Sequence, residues 1–520
     1  MVNKISVNKN ILNAFFVLNG FVGSFVSGVV KITNKLLNAS HKPWVMYVLG
    51  LCCVFASPPI YFLPVLLVCI PVMFYVCDSE KSPLRAALLC GLFFHAYFLA
   101  NLHWVAVSLT VQPGMMALAP IILLLMPALP AVPYAVIFYA LIISIRKTNI
   151  TSPWLKYFLF ASVLFLMEFV RSNFYFSGFP WQTLGVSFSF SVVSLQIINK
   201  IKLVGVDLIA SFLVMVPYLL FAKAKRPYIA IIIAVCVCFG VGIFGVNRLN
   251  NNPTKLTQKL VLGVQGNIDQ SIVANHALGA KVFWRYNKIL QQASMNPKYA
   301  DAYNPFYTTL FVLPESAVVI YGDYNEKEIV RKFTKWMGKN SVGMFTGAYL
   351  DTSTGNGYNR ATIFNSRNEI VGQYDKRRLV PFGEYMPFRS LIPKSIKQMT
   401  GIVDMKAGEG KPQTMYASYD LRVSPAICYE AIFSNDVVDN NEKPDVIVNM
   451  VNDGWFGKSL GPYQHFALAQ MRAAEEGIPL VRVSNNGISA ILDGCGRILQ
   501  YIPLNTFGIL YGFIPERCEN

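Results

Sequence analysis

The chain has 520 residues, 54% hydrophobic and only 14% charged, with a formal net charge of +17. That length exceeds one compact domain, and that composition excludes an ordinary soluble protein. Residues 1–255 hold 18 Lys and Arg against four acids (Asp78, Glu80, Glu168, Asp207), so the excess is +14 there and only +3 beyond. A nucleic-acid binder would carry its basic excess on the folded domain, so no nucleic-acid partner is expected.

Residues 1–43 form an N-terminal extension whose run 11–30 suits either an interfacial helix or an extra crossing; no cleavable signal peptide is evident. Residues 44–247 read as a multi-pass α-helical membrane bundle of about seven helices: 44–57, 60–77, 85–111, 115–145, 154–172, 193–222 and 227–246. Ser57-Pro58-Pro59 marks a tight turn, because proline cannot continue a helix without losing a hydrogen bond. Basic residues fill alternate loops: Lys42 before the first span, Lys81 and Arg85, Arg146 to Lys156, then Lys223 to Arg226. The positive-inside rule puts those loops in the cytoplasm, so seven crossings deliver the second half to the outer face. In a double-membrane bacterium that is the periplasm. Glu168 and Arg171 are one turn apart near the end of the fifth span, as an ion pair or a headgroup contact. His103 and Trp104 read as a belt anchor at the outer end of the third.

Residues 248–258 are a polar linker, and 259–515 alternate strand and helix, which indicates an α/β layered domain. KLVLGVQGNI, LFVLPES, VGMFTGAYL, ATIFNSRNEIVGQYDK, LRVSPAICYE, DVIVNMVND and ISAILDGCGRILQY are the strand segments. FWRYNKILQQAS, KEIVRKFTKWMGK and HFALAQMRAAEEG are the helices. Seven of ten cysteines (Cys52, Cys53, Cys69, Cys77, Cys90, Cys236, Cys238) lie in apolar runs and read as small buried hydrophobes. The other three, Cys428, Cys495 and Cys518, make neither a zinc pattern nor a disulfide framework, so no metal is expected.

Acyl transfer through a thiol needs a base for its proton and donors for the oxyanion. Cys428, Glu315 and Lys376 each follow a strand segment and are the candidates for nucleophile, general base and oxyanion stabiliser. A Cys–His pair using His276 or His465 is the weaker alternative, since neither lies at a polar strand end. Neither GxSxG nor HExxH occurs.

The order LPES, KRRLVPFGEYMP, ICYE resembles the nitrilase superfamily. GFPWQTLG, LVGVD and NDGWFGKSLGPYQHFALAQMRAAEEGIPLVRVSNNGISAILDGCGRI narrow the resemblance to its apolipoprotein N-acyltransferase branch, over residues 44–515. The resemblance implies a four-layer αββα nitrilase-like sandwich domain on the bundle, in the bacterial inner membrane with the sandwich facing the periplasm. It implies transfer of a fatty acyl chain from a phospholipid, through a thioester on Cys428, to the α-amine of a diacylglyceryl-modified apolipoprotein. Glu315 would be the base, Lys376 the oxyanion stabiliser and Glu384 a supporting acid, with no cofactor. Tyr429 and Glu430 follow the nucleophile in the motif. Trp455, Phe456 and the segment PFRSLIPKSIKQMTGI are apolar for exposed loops and read as acyl-chain walls or a lid dipping into the outer leaflet, with core packing as the alternative, and Trp284 lines the same entrance or lies in the core. A membrane-tethered nitrilase-type amidase and a non-catalytic lipoprotein-binding relative are the alternatives, and a monomer is expected. The resemblance also implies one more transmembrane helix after the sandwich. The tail 516–520 offers no such run, so it is expected to stay with the domain, with Cys518 incidental.

Overall fold

The computed structural model describes residues 35–111, 115–175, 178–319, 326–351, 355–387 and 404–519. Residues 11–30 and most of the segment PFRSLIPKSIKQMTGI lie outside the described residues.

Prolines open the first helices, where the missing N–H removes nothing that the helix uses. They are α1 Pro43–Cys52, α2 Pro64–Ser79 and α3 Pro83–Leu102. After α4 Trp104–Thr110, α5 Ala119–Leu125 and α6 Ala128–Lys147 comes α7 Pro153–Phe174. Ser82 and Ser152 cap α3 and α7, accepting from Arg85 N and Leu155 N. Short helices α8 Leu184–Ser187 and α9 Val192–Leu195 lead into the long α10 Ile198–Phe221 and α11 Tyr228–Asn251. Among the described residues, five helical stretches are long and apolar enough to cross a membrane, and Pro43–Ala56 and Pro64–Ser79 are shorter apolar helices. The third expected span breaks at His103 and the fourth at Met126 and Pro127, so each is two helices end to end.

Two expectations for this half need correction. Trp104 is only 7% exposed and packs inside the protein, so it anchors no lipid belt. Cys236 and Cys238 are exposed, because α11 lies at the edge of the bundle and touches it mainly at its ends. One contact is close: a Cβ on Gly245 would sit 2.1 Å from Val193 O, so only glycine lets α11 meet α9. Glu168 and Arg171 are buried, with Arg171 Nη2 2.5 Å from Glu168 Oε2, so the pair faces protein and not a headgroup. Arg171 Nη1 also donates to Phe179 O and Trp181 O, which fastens the loop after α7.

The second half is two sheets packed face to face. The first has the order β13-β1-β2-β4-β5-β6, with β3 Val318–Val319 beside β4 Ser341–Asp351. Its other strands are β1 Leu256–Gln265, β2 Thr308–Val312, β5 Asn356–Asn365, β6 Ile370–Asp375 and β13 Gly508–Pro515. The second sheet runs β12-β11-β10-β9-β8-β7. It comprises β7 Met415–Tyr416, β8 Arg422–Ile427, β9 Val446–Val451, β10 Leu480–Ser484, β11 Ser489–Leu492 and β12 Ile498–Ile502. Val261, Leu310 and Val342 meet Val423, Val448 and Val481 between the sheets.

Besides the short α12 Gln270–Val273, α13 Gly279–Ser294 and α14 Glu326–Thr334 cover the first sheet, and α15 Gly461–Glu476 covers the second. The result is an αββα sandwich. Opposite faces of α15 are buried against different partners: Phe466, Ala469 and Ala473 against its sheet, and Leu468, Met471 and Ala474 in the apolar core of the bundle. The helix is therefore the shared wall of the two halves. Each fully buried large apolar side chain there contributes about 1.5–3 kcal/mol.

Three features of the sandwich differ from expectation. ATIFNSRNEIVGQYDK and ISAILDGCGRILQY are each a strand pair, β5–β6 and β11–β12, folded at their glycine- or asparagine-containing turns. GILYGFIP forms β13, which pairs antiparallel with β1. Cys495 and Cys518 form a disulfide, so Cys518 is not incidental. The tail is tied further by Cys518 N to Gly477 O and Glu519 N to Asn252 Oδ1.

Candidate active site

Parallel pairing of β2 with its neighbours, and of β8 with β9, brings the carboxyl ends of these strands to one edge of the sandwich. Glu315 follows β2, Lys376 follows β6, Cys428 follows β8 and Asn452 follows β9. All four are buried, which is unusual for an acid and an ammonium unless they are paired.

They are paired. Lys376 Nζ lies 3.2 Å from Glu315 Oε1 and 2.8 Å from Glu384 Oε1. Asn359 Nδ2 donates to the same two oxygens, at 2.9 and 3.0 Å. Backbone donors complete the carboxylates: Asn452 N to Glu315 Oε2 at 3.1 Å and Val380 N to Glu384 Oε2 at 2.8 Å. Burial works against the Lys376 charge, but Glu315 and Glu384 outweigh it and hold its pKa above the usual lysine value.

Cys428 sits at the turn from β8 into a short 3₁₀ helix, Cys428–Ile432, with φ of 51°. A non-glycine residue held in that left-handed region stores about 1–3 kcal/mol of strain. The Glu315 carboxylate and the Lys376 ammonium are near enough for their charges to act on the Cys428 thiol. Burial pushes the thiol pKa well up, the Glu315 charge adds to that, and Lys376 opposes it. The resting nucleophile is thus a neutral thiol next to a carboxylate base.

Tyr429 and Glu430 hold this turn. Both Glu430 oxygens are engaged: Oε2 accepts from Ile427 N at 2.7 Å, and Oε1 from Tyr374 OH at 2.6 Å and Arg377 N at 2.8 Å. Desolvation raises the Glu430 pKa. Tyr429 OH donates to Gly178 O at 3.3 Å, and its ring stacks with Trp181 at 6.5 Å between centroids. Gly178 and Trp181 belong to the loop that Arg171 fastens, so the nucleophile turn rests directly on the bundle.

Phe456 joins the same seam. Its ring is 4.6 Å from that of Trp104 and 5.8 Å from that of Trp181. Both indoles donate to Gln464 Oε1 on α15, at 3.2 and 2.7 Å. Trp455 is half-buried beside it. Trp284 is not brought to this cluster: it is half-exposed on α13, with Lys332 Nζ 4.9 Å above its ring. His465 does lie at the nucleophile, but at its carbonyl rather than its sulfur, with Nε2 3.2 Å from Cys428 O.

Asn359, Asn449, Asn452, Asp453, Gln464 and Arg482 are buried site neighbours that sequence reasoning missed. Two carried a signal: Asn449 in VIVNMV and Arg482 in LVRVS are polar side chains inside otherwise apolar strands. A buried polar group of that kind needs a partner and marks a network.

Residues 273–520 match the family model for carbon-nitrogen hydrolase, and residues 49–219 match that for the apolipoprotein N-acyltransferase N-terminal domain. An apolipoprotein N-acyltransferase of Rickettsia prowazekii (strain Madrid E) is 30% identical over 473 residues, covering 88% of this chain and 89% of that one. One from Rhodopseudomonas palustris is 30% identical over 482 residues, covering 88% and 87%. Among solved structures, Saccharomyces cerevisiae Nit3, a member of branch 10 of the nitrilase superfamily, aligns with 50% of this chain and 91% of its own. Its identity is 18% and the TM-score 0.35.

Proposed function

The chain belongs to the apolipoprotein N-acyltransferase family, and from that premise we propose how its own residues carry out the reaction. It is an integral membrane acyltransferase. It moves a fatty acyl chain from a phospholipid to the α-amine of the diacylglyceryl-cysteine that begins an apolipoprotein. The observation that carries this reading is the position of Cys428: buried within reach of the Glu315 and Lys376 charges, and one residue from the tyrosine that stacks on the bundle.

In the first half-reaction Glu315 takes the thiol proton as Sγ attacks the ester carbonyl. Lys376 has three N–H groups; Glu315 and Glu384 engage two, and the third serves the tetrahedral oxygen. Collapse breaks the ester C–O bond, and Glu315 returns its proton to the departing lysophospholipid alkoxide. In the second half-reaction the α-amine attacks the thioester carbonyl. Glu315 accepts a proton from the amine nitrogen, and the amide forms as the Cys428 thiolate leaves and is reprotonated. Glu384, through Lys376 and Asn359, keeps the ammonium and base in register. Glu430 supports the nucleophile turn, and Tyr429, Phe456 and Trp455 wall the side that faces the bundle.

The division into bundle and catalytic domain follows this chemistry, one part concentrating lipid and the other reacting with it; the linker between them is 252–255, shorter than the 248–258 expected, because α11 runs to Asn251 and β1 starts at Leu256. The enzyme is placed in the bacterial inner membrane, with the catalytic domain in the periplasm and acting as a monomer. The loop charges support that orientation, and so does the Cys495–Cys518 disulfide, which suits an oxidising compartment.

The test is a product assay with purified enzyme, a phospholipid carrying a labelled acyl chain and a diacylated lipopeptide with a free N-terminal amine. Label on the lipopeptide α-amine is expected. Label released only as free fatty acid would replace the transferase by a hydrolase.

A further inference from the structure

The Cys428 carbonyl oxygen receives two side-chain donors, Asn449 Nδ2 at 3.2 Å and His465 Nε2 at 3.2 Å. Neither takes part in the proton transfers above. Both are completely buried, as are the groups behind them. Arg482 Nη1 donates to Asn449 Oδ1 at 2.6 Å, and its Nη2 to Asp453 Oδ2 at 2.8 Å. Asp453 Oδ1 lies 2.8 Å from His465 Nδ1. The loop of contacts therefore closes through Asn449, Arg482, Asp453 and His465, and both of its ends meet at one carbonyl.

Such a closed network is what makes buried charge tolerable, and it holds its members to one geometry. Arg482 and His465 keep the Asp453 carboxyl below its usual range against the effect of burial. Neither a carbonyl oxygen nor an ionised carboxylate has a proton to give, so His465 carries one on Nε2 to donate to Cys428 O and one on Nδ1 to donate to Asp453 Oδ1. Asn452, the neighbour of Asp453, donates from its backbone to Glu315. The network thus touches the nucleophile on one side and the loop that holds its base on the other.

We propose that His465 is a positioning residue for acyl transfer: its Nε2–H, aimed by the Asp453–Arg482 pair, fixes the Cys428 carbonyl and so the left-handed turn that points Sγ at Glu315. The physical link is the rigidity of the peptide unit. Holding the carbonyl fixes the plane that joins Cys428 to Tyr429, and the rotation left to the nucleophile is then small. Asn449 alone leaves that plane free to rock about a single contact. The inference rests on Cys428 being the nucleophile.

Glutamine carries an amide N–H at about the reach of imidazole Nε2, whereas asparagine reaches only as far as Nδ1. His465→Asn and His465→Gln are compared with the wild type in phospholipid micelles. Single-turnover acylation is followed by intact mass, and Cys428 alkylation by iodoacetamide is followed separately. Displacing a reacting group by about an ångström slows reaction roughly 100-fold, so the Asn variant is expected to lose about that factor while the Gln variant recovers most of it. The phospholipid KM stays unchanged. An Asn variant that is folded and acylates at the wild-type rate overturns the proposal, as does a Gln variant as slow as Asn. If neither variant folds, nitrogen NMR of histidine-labelled wild type decides. Nε2 of His465 protonated supports the role, and Nε2 unprotonated overturns it. Failure of the wild type to acylate at all would instead count against the proposed function, with alkylation still reading the positioning.

Discussion

Replacing Lys376 by methionine isolates the group on which the site's electrostatics depend. Its ammonium lies 3.2 Å from one carboxylate oxygen and 2.8 Å from another, with all three side chains largely buried. At an effective dielectric of about 20, each contact is worth roughly 5 kcal/mol of gross attraction. Desolvation offsets most of that, and removing one member of such a buried group leaves a net loss of about 3–5 kcal/mol. Methionine fills the space, so the loss is electrostatic, with Glu315 and Glu384 left bridged only by Asn359. Thermal unfolding in detergent is expected to shift down by roughly 10 °C for a domain of this size. Acyl transfer should fall by about 100- to 1000-fold, the usual effect of losing an oxyanion donor. The double variant Lys376→Met/Glu384→Gln removes one of the opposed charges. It should regain at least about 1 kcal/mol of the stability while staying inactive, since contacting residues couple by that much or more. A single variant that melts and turns over like the wild type would refute the reasoning. So would a double variant whose losses simply add.

Three further outcomes follow from the same contacts. Cys428 should react with iodoacetamide more slowly than a free cysteine at pH 8, with a rate still climbing above pH 9, because burial and Glu315 raise its pKa. Reducing the Cys495–Cys518 bond, or changing both residues to serine, should cost about 3 kcal/mol by the loop-closure relation, read as a lower melting temperature at unchanged acyl transfer. Gln464→Leu leaves two buried indole N–H groups without an acceptor, each costing about 1–3 kcal/mol, and should loosen the seam, read as faster proteolysis between bundle and catalytic domain.

The parts of this molecule that were legible in the sequence are those set by local chemistry. Apolar length alone marks the spans, and Glu315, Lys376 and Cys428 stand at strand ends that periodicity locates. What escaped depends on partners remote in the chain. β13 is an unremarkable stretch containing glycine until β1 lies beside it, since a strand needs a ladder to be one. Cys495 and Cys518 pair because the tail returns to Gly477, which spacing does not reveal. Trp104 looks like a membrane anchor in isolation, and becomes a junction residue only through Gln464, 360 positions away. His465 lies at no polar strand end, yet α15, which carries it, lies directly under the nucleophile turn. Its contact is with a backbone oxygen, which no residue pattern encodes.

The most direct test weighs the enzyme itself. Wild type and Cys428→Ala are mixed with phospholipid, quenched in acid and measured as intact mass. A fatty-acyl increment on the wild type alone, lost on adding a diacylated lipopeptide, is the predicted result. An increment on both proteins, or none on a folded wild type, would contradict the assignment of Cys428 as the residue that carries the acyl chain.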